Sequence, residues 1–402
     1  MNTMYRLYCR TYQGAFRLIA PFLPFREPEI LRGKGSLSRL PALLREKGLD
    51  RVLVVTDAGL VKIGLAAPLL ETLAAQGIHT ALYDGTVPNP TIENVEAAVA
   101  LYRENRCRAI IALGGGSPMD VAKAVGARIT HPRMPVSRMR GVLKLHRPLP
   151  PLFVIPTTSG TGSEATLAAV ITDSATHEKR AINDPRLIPR WAILDPELTV
   201  NLPKPVTSTT GMDALTHAVE AYIGGSNTRK TERMALGAVR LIAENLRKAY
   251  ADGTDLVARE NMQEAAYMAG VAFTRAYVGY VHALTHTLGG MFHVPHGLAN
   301  AVLLPPVLEA YGKTAWKRLA PLADAAGISV PGEPDGEKAK KFIAWIREMN
   351  AAMGIPEKLS GTFREEDIPL LVQRAEREGN PLYPVPKIMG ADELAPILRK
   401  IM

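Results

Sequence analysis

Cysteine is nearly absent from this chain, since Cys9 and Cys107 are the only two among 402 residues. They are far apart and in no metal-type spacing, which argues against a disulfide scaffold and favours a reducing compartment. No run approaches the roughly 20 apolar residues of a membrane span, and the first residues lack the long apolar core of a secretory signal. We therefore expect a cytoplasmic protein.

Acidic residues are also outnumbered, and the formal net charge is +9. Residues 1–51 contain ten Lys and Arg against four Asp and Glu, so most of the excess lies in the first eighth of the chain. No nucleic-acid-binding motif accompanies this charge, and we predict no nucleic-acid partner.

The first 24 residues are predicted to be an amphipathic segment, with a helix over residues 5–23. Its apolar face would carry Tyr5, Tyr8, Tyr12, Ala15, Ile19 and Leu23, and its other face Arg6, Arg10, Gln13 and Arg17. Packing on the same subunit or a neighbouring one is favoured over a membrane surface, because the arginines are at the lower edge of a lipid-binding polybasic cluster.

Short β-branched runs alternate with helical patterns between residues 50 and 195, which indicates a parallel sheet with helices on both faces. The predicted strands are 51–57, 79–84, 108–117 and 152–160, and the helices between them are 60–76, 92–105 and 118–127. Three prolines in residues 193–205 end this pattern. The region beyond is predicted to be all-helical, with helices near 213–223, 231–249, 256–275, 281–290, 298–311, 336–352 and 366–378.

Two polar loops follow predicted strands. The turn Gly114–Asp120 (GGGSPMD) opens a helix, where glycines let a phosphate approach the backbone and the helix N-terminus offers N–H groups. Many such turns use glycine for conformational reasons only. The loop Thr157–Glu164 (TTSGTGSE) follows another strand, and in a parallel sheet both loops end at the same edge. Together they predict a site for nucleotide phosphates.

The order of these parts differs from the common dinucleotide fingerprint, in which glycines close the first strand and an acidic residue ends the second. Here Asp57 ends the first strand and the glycines come about sixty residues later. Asp57 could accept hydrogen bonds from an adenosine ribose and repel the 2′-phosphate of NADP, which favours NAD. It could instead be only the N-cap of the next helix.

Histidine is scarce, yet four of the nine histidines lie between His282 and His296. Asp213 and His217 are four residues apart, so on a helix both side chains project from one face and can hold one ion. His282 and His286 repeat this spacing, and His296 follows after a turn. Three imidazoles and a carboxylate suit iron or zinc better than calcium or magnesium.

Four stretches resemble, in content and order, the signature blocks of the iron-containing (group III) alcohol dehydrogenases, which include lactaldehyde reductase and butanol dehydrogenases. They are GGGSPMDVAK, IPTTSGTGSEAT, GMDALTHAVEAY and VHALTHTLGGMFHVPHGLAN. The resemblance implies a dehydroquinate synthase-like architecture. It would have a dinucleotide-binding α/β domain over residues 25–200, an all-α metal-binding domain over residues 201–402, and a divalent ion in the cleft between them.

The resemblance also assigns residues to roles. The metal ligands would be Asp213, His217, His282 and His296, with His286 near the ion as an additional active-site histidine. NAD would contact Asp57, Asn89, Gly115, Gly116, Ser117, Thr157, Thr158, Thr161 and Lys179. Fe²⁺ is the expected ion with Zn²⁺ as the alternative, NADP is less favoured than NAD, and a homodimer or larger homo-oligomer is expected.

The implied activity is an NAD-dependent interconversion of a primary alcohol or small diol and its aldehyde. The ion would polarise the alcohol oxygen, the nicotinamide would take the hydride, and His286 would belong to a proton relay. One alternative is a lyase or transferase that holds NAD on a dehydroquinate synthase-like scaffold, against which the HALTH and HVPHG motifs argue. Another is a non-catalytic binding or assembly subunit, which only the N-terminal segment favours. Residues 380–390 (NPLYPVPKIMG) depart from the family pattern and are expected to affect the substrate-side wall.

Overall fold

A computed structural model describes residues 1, 3–19, 25–176 and 178–402. The chain divides into two compact units, one of Met1–Leu23 with Leu202–Met402 and the other of Pro24–Asn201. Within the described ranges, none of the helices is both long and apolar enough to cross a lipid bilayer.

A six-stranded parallel sheet forms the centre of the unit Pro24–Asn201, as the alternating pattern predicts. Its strands are β1 (Glu29–Arg32), β2 (Arg51–Val55), β3 (His79–Tyr83), β4 (Ala109–Gly114), β6 (Leu152–Pro156) and β9 (Trp191–Leu194). They lie in the order β1-β9-β6-β4-β2-β3, and each neighbouring pair is parallel. The strands β4 and β6, which precede the two polar loops, are therefore neighbours, with Gly114 opposite Pro156.

Hydrophobic residues cover both faces of this sheet. Along β2, Val52 and Val54 belong to one buried cluster and Leu53 and Val55 to the other, so alternate side chains enter opposite layers. The helices of this unit are α2 (Leu40–Glu46), α3 (Ala58–Lys62), α4 (Ala67–Ala75), α5 (Ile92–Glu104), α6 (Gly116–Thr130) and α7 (Val136–Met139). The single helix predicted over residues 60–76 is thus two helices.

A small second sheet has no counterpart in the sequence prediction. Its strands are β5 (Gly141–Val142), β7 (Ala168–Asp173) and β8 (Glu178–Asn183), in the order β5-β8-β7. The neighbouring strands β1 and β9 of the main sheet were not predicted either, because each has only four residues and gives little pattern.

The other unit is helical, as predicted. Its helices are α1 (Thr3–Ile19), α8 (Lys204–Ile223), α9 (Arg229–Ala251), α10 (Leu256–Ala276), α11 (Tyr280–Phe292), α12 (His296–Tyr311), α13 (Lys313–Ala325), α14 (Asp335–Ala352), α15 (Ile368–Gly379) and α16 (Ala391–Ile401). Two of these, α13 and α16, were not predicted, and each contains an internal proline, Pro321 and Pro396 respectively.

The N-terminal helix α1 packs on its own unit, but through the face that the sequence pattern assigns to solvent. Gln13 and Cys9 are buried, whereas Tyr5, Tyr8 and Tyr12 are exposed. On its own unit, α1 therefore does not pack through the predicted apolar face, and Leu23, assigned to that face, lies outside the described residues. Cys9 enters the hydrophobic core of this unit, and polar contacts to its C-terminal part add to the orientation of the helix.

These contacts reach the C-terminal part of the same unit. Arg10 donates to the carbonyl oxygens of Val385 and Pro386 at 2.8 Å each. Gln13 donates to the carbonyl oxygen of Tyr383 at 2.7 Å, and Arg6 pairs with Glu393 at 3.1 Å. The guanidinium and amide groups thus satisfy backbone acceptors, which explains why the polar face of α1 is the packed one.

Candidate metal centre and active site

Four side chains of types that can bind a metal ion converge from three helices in the helical unit. Asp213 and His217 lie one turn apart on α8, His282 lies on α11, and His296 is the first residue of α12. One ligand atom from each lies within 4.8 Å of the others. Asp213 Oδ1 is 3.8 Å from His217 Nδ1, 3.9 Å from His282 Nε2 and 3.5 Å from His296 Nε2. The spacing in the sequence thus corresponds to one cluster.

The close approach of α12 to α8 depends on Gly297. A Cβ atom at this position would lie 2.4 Å from the carbonyl oxygen of Thr209 on α8. Only glycine fits against that backbone oxygen, and His296 is its immediate neighbour. The His-Gly pair in the sequence therefore places the fourth side chain of the cluster.

His282 is oriented by a buried carboxylate on α8. Its Nδ1 is 2.6 Å from Glu220 Oε2, and Glu220 also accepts hydrogen bonds from the backbone N–H groups of Gly279 and Val281, each at 2.8 Å. With Nδ1 as the donor, Nε2 carries the lone pair and lies on the side of Asp213. Such carboxylate partners fix the tautomer and orientation of histidines that bind metal ions.

Asn300, one turn after His296 on α12, lies among the four side chains. Its Nδ2 donates to Asp213 Oδ1 at 2.6 Å and is 3.2 Å from Nε2 of both His282 and His296. Its Oδ1 is buried and has no hydrogen-bond partner among the described residues. The amide therefore contacts the same donor atoms that an ion would.

Burial dominates the electrostatics of the cluster. It raises the pKa of Asp213, against the opposing effects of His217 and Asn300. It also holds the pKa of His282 well below its usual value, with a smaller contribution from His286. Burial raises the pKa of Glu220 to about 7, opposed by the backbone N–H groups that it accepts. A neutral His282 has its lone pair available for an ion.

These residues fit a divalent transition metal. One carboxylate and three imidazoles are ligands that iron and zinc accept, whereas calcium and magnesium prefer oxygen. Ligand atoms about 2.1 Å from a shared tetrahedral ion are about 3.4 Å apart. The separations from Asp213 Oδ1, 3.5 to 3.9 Å, are close to that value.

His286 lies beside the cluster, with its ring stacked on that of His296 at a centroid distance of 5.4 Å. Its Nδ1 is 2.5 Å from Glu378 Oε1, and the hydroxyl of Tyr383 donates to the same oxygen at 2.8 Å. Glu378 is on α15 and Tyr383 is in the segment after it. His286 is therefore tied to a carboxylate, as His282 is.

In the α/β unit, the two polar loops lie against each other at the ends of β4 and β6. The N–H of Thr157 donates to the carbonyl oxygen of Gly114 at 3.0 Å. A Cβ at Gly115 would be 3.3 Å from Thr158 Oγ1, and one at Gly116 would be 3.0 Å from Thr161 Cγ2. Glycine thus keeps the start of α6 close to the second loop.

These loops also retain unused polar groups. The hydroxyls of Thr158 and Ser159 are buried without a hydrogen-bond partner among the described residues. Gly116 and Ser117 form the first turn of α6, where backbone N–H groups have no intrahelical partner. Such N–H groups and hydroxyls are the donors that bind phosphate, so the residues fit the pyrophosphate of a dinucleotide.

The other predicted cofactor residues are distributed around these loops. Asp57 is the N-cap of α3, and its Oδ1 accepts from the N–H of Leu60 at 3.0 Å. Asn89 has a left-handed backbone with φ of 60° and precedes Thr91, which forms a bridge with Thr172. Lys179 on β8 is opposite Thr172 on β7. Asn89 and Lys179 thus lie near opposite sides of β7. Asp57 caps the N-terminus of α3, which is the structural role that the sequence left open beside cofactor binding.

Two residues that tie the loops together were missed in the sequence. Asp120 accepts from the hydroxyl of Ser163 at 3.1 Å and from the N–H of Val170 at 3.0 Å. Lys123 Nζ, fully buried, donates to the carbonyl oxygen and hydroxyl of Ser163 and to Thr166 Oγ1. Both lie on α6 after the glycine turn, and their spacing of three residues on a helix was a usable signal.

Comparison with known proteins identifies the family. The profile of the iron-containing alcohol dehydrogenases matches residues 27–196, and that of the C-terminal region of the Fe-containing alcohol dehydrogenase family matches residues 207–402. The chain is 40% identical over 356 residues to the 1,3-propanediol dehydrogenase of Klebsiella pneumoniae, covering 88% of this chain and 92% of that protein. This chain belongs to the iron-containing alcohol dehydrogenase family.

Further members of the family agree in sequence and fold. The NAD-dependent methanol dehydrogenase of Bacillus methanolicus is 37% identical over 352 residues, 87% of this chain and 92% of that protein. A crystal structure of 1,3-propanediol oxidoreductase superposes with a TM-score of 0.90 at 38% identity, covering 94% of this chain and 100% of that chain. The predicted family, fold class and oxidoreductase activity are confirmed, and a lyase or transferase is not favoured.

Proposed function

We propose that this iron-containing alcohol dehydrogenase uses NAD and a divalent metal ion to interconvert a small primary alcohol or diol and its aldehyde. The observation that carries the proposal is the convergence of Asp213, His217, His282 and His296, of which all but His296 are buried. The names of the propanediol and methanol dehydrogenases to which the chain is similar support a short primary alcohol. Iron follows from the family, and zinc is the alternative that the same ligands accept.

The four side chains would bind the ion, and Glu220 and Asn300 would orient them through hydrogen bonds. Glu220 keeps His282 in the tautomer with its lone pair on Nε2. Asn300 donates to Asp213 in the structure and, once the ion is bound, would be a hydrogen-bond partner beside it. When bound, the ion acts as a Lewis acid toward the alcohol oxygen, and NAD accepts the hydride.

We propose that His286 accepts the hydroxyl proton of the alcohol. Its Nδ1 is engaged with Glu378, which leaves Nε2 as the ring nitrogen with a lone pair that can take this proton. In aldehyde reduction the same Nε2 would return a proton to the oxygen. A positioned general acid or base contributes about 10²–10⁴-fold to the rate, so loss of His286 should lower turnover while metal binding persists.

For NAD, the proposal assigns the pyrophosphate to the two loops that meet at β4 and β6. Gly115, Gly116 and Ser117 would supply backbone N–H groups from the start of α6. Thr157, Thr158 and Thr161 would supply donors from the second loop. Asp57, with one oxygen used as a helix cap, would still present its charge toward the adenosine ribose, and Asn89 and Lys179 would complete the site.

The test is a comparison of metal content and activity. The protein, purified without oxygen and reloaded with Fe²⁺ or Zn²⁺, should reduce NAD in the presence of short primary alcohols or 1,3-diols. His282→Ala and His296→Ala should each lose most of the bound metal and nearly all turnover while helicity is retained. Full metal occupancy in both variants would contradict the ligand assignment.

The location and assembly remain predictions of the same proposal. We propose a cytoplasmic homodimer or larger homo-oligomer without a membrane or nucleic-acid partner. Cys9 and Cys107 are both free and buried, which supports a reducing compartment. Light scattering of the purified protein measures the assembly, and a monomer at micromolar concentration would contradict it.

A further inference from the structure

Glu378 and Tyr383 touch neither the ion ligands nor the substrate in the proposed chemistry, yet Glu378 contacts His286 and Tyr383 contacts Glu378. Glu378 Oε1 lies 2.5 Å from His286 Nδ1, and the same oxygen accepts from the hydroxyl of Tyr383 at 2.8 Å. Neither residue belongs to the four motifs on which the family was recognised. Tyr383 lies in residues 380–390, the stretch that departs from the family pattern.

The chemistry of these groups fixes the direction of both hydrogen bonds. An ionised carboxylate has no proton to give, so the imidazole must donate through Nδ1–H. Burial raises the pKa of Tyr383 well above its usual value, with Glu378 as a further cause, so the phenol stays protonated and also donates. Nδ1 therefore carries the proton in neutral His286, and Nε2 carries the lone pair.

A second histidine of α11 makes the same kind of contact as His286. His282, one turn earlier on α11, also donates through Nδ1 to a carboxylate, Glu220 on α8. Two histidines of one helix are thus each held by a carboxylate from a different helix. Glu220 is 1% exposed, whereas Glu378 is 27% exposed and accepts from side chains, so the second pair is accessible to protons from solvent.

We propose that Glu378, held by Tyr383, is a positioning residue that fixes His286 in the tautomer with Nε2 as the proton acceptor. The inference rests on the proposed function for its kinetic consequence only, since the tautomer is a property of the protein alone. Without the carboxylate, neutral His286 would divide between two tautomers and several ring orientations. Only one of these presents a basic Nε2.

The first measurement is the tautomer of His286, by NMR of the zinc-loaded enzyme with isotope-labelled histidine, assigned by the signal lost in His286→Asn. The full-length enzyme should show a single tautomer with the proton on Nδ1. Glu378→Ala should show a mixture, and Glu378→Gln serves as the variant of unchanged shape if the alanine variant does not fold. A single Nδ1–H tautomer in both variants would overturn the proposal.

The second measurement is steady-state kinetics with zinc content. Glu378→Ala should lower kcat by about 10–100-fold, the usual effect of losing a carboxylate behind a functional histidine, with KM for the alcohol and metal content unchanged. Glu378→Asp should recover part of the loss, and Tyr383→Phe should lose less than Glu378→Ala. Glu376→Gln is the matched control on the same helix, because Glu376 accepts from the backbone of Ala391 instead.

The outcomes separate the two claims. An unchanged kcat in Glu378→Ala would refute the positioning role. So would an equal loss of kcat in Glu378→Ala and in the control variant Glu376→Gln. A wild-type enzyme that reduces no NAD with any alcohol would refute the proposed function, while the NMR measurement would still decide the tautomer.

Discussion

Gly297→Ala should weaken the metal centre although glycine contributes no ligand. The added Cβ would lie 2.4 Å from the carbonyl oxygen of Thr209 and 2.7 Å from its carbonyl carbon. Since a relaxed contact is about 3.5 Å, the first turn of α12 must move from α8 by roughly 1 Å. His296 begins that turn, so its imidazole would move relative to Asp213.

Two consequences can be estimated. Overpacking against a backbone atom typically costs about 1–3 kcal/mol of stability. A misplacement of about 1 Å can reduce turnover by about 10²-fold. Titration with a competing chelator, thermal unfolding with and without metal, and kcat measure these effects separately.

Two glycines provide matched controls. Gly14 in α1 has nothing within 4 Å of its Cβ position, so Gly14→Ala should gain up to about 1 kcal/mol from helix propensity. At Gly237 in α9 the new Cβ would meet Met268 Cε, the end of a flexible side chain, so the loss should be small. If Gly297→Ala and Gly14→Ala bound the metal with equal affinity, Gly297 would not set the position of His296.

Three other changes test the remaining assignments. Asp57→Gly should raise kcat/KM with NADP relative to NAD, and glycine keeps most of the helix cap, with a cost of a few tenths of a kcal/mol. Glu220→Gln should lower metal affinity by about 10–100-fold in the chelator assay, because the amide no longer fixes the tautomer of His282. Deletion of residues 1–24 should leave metal and NAD binding intact but lower solubility or alter the oligomer, as seen by light scattering.

Each of these has a contrary result. An unchanged cofactor ratio in Asp57→Gly would mean that the carboxylate serves only as the cap that the structure shows. Wild-type affinity in Glu220→Gln would leave this buried group with a purely structural role. Liposome binding that only the full-length chain shows, sensitive to salt and with unchanged oligomer size, would favour a membrane role for the N-terminal segment.

The sequence was sufficient where the clustering of side chains depends on their spacing along one helix. Asp213 and His217 are one turn apart, and the helix that their spacing predicts brings them to one cluster. Glu220, seven residues after Asp213, is on the same helix face and could have been found in the same way. Asn300, four residues after His296, gives a similar signal.

Pairings across long separations could not be read from the sequence. Glu378 is 92 residues from His286, and its helix has no pattern that marks it as a partner. The face through which α1 packs on its own unit was not predicted, because Gln13 was counted as polar, although a buried glutamine bonded to two carbonyl oxygens is stable in a packed face. Backbone acceptors in residues 381–386 decide that orientation, and no local pattern displays them.

The docking of α1 has a consequence for the order in which the chain folds. Arg6 and its partner Glu393 are 387 residues apart, so the first helix to be synthesised cannot find its contacts until the last segment emerges. Residues 25–201 have their core complete long before that point, and we expect them to fold first. The contacts between α1 and the C-terminal segment then join the two ends of the sequence, and contacts of such separation form slowly. A ribosome-stalled chain lacking the final residues should therefore leave its N-terminus open to proteases, while the α/β unit already resists them.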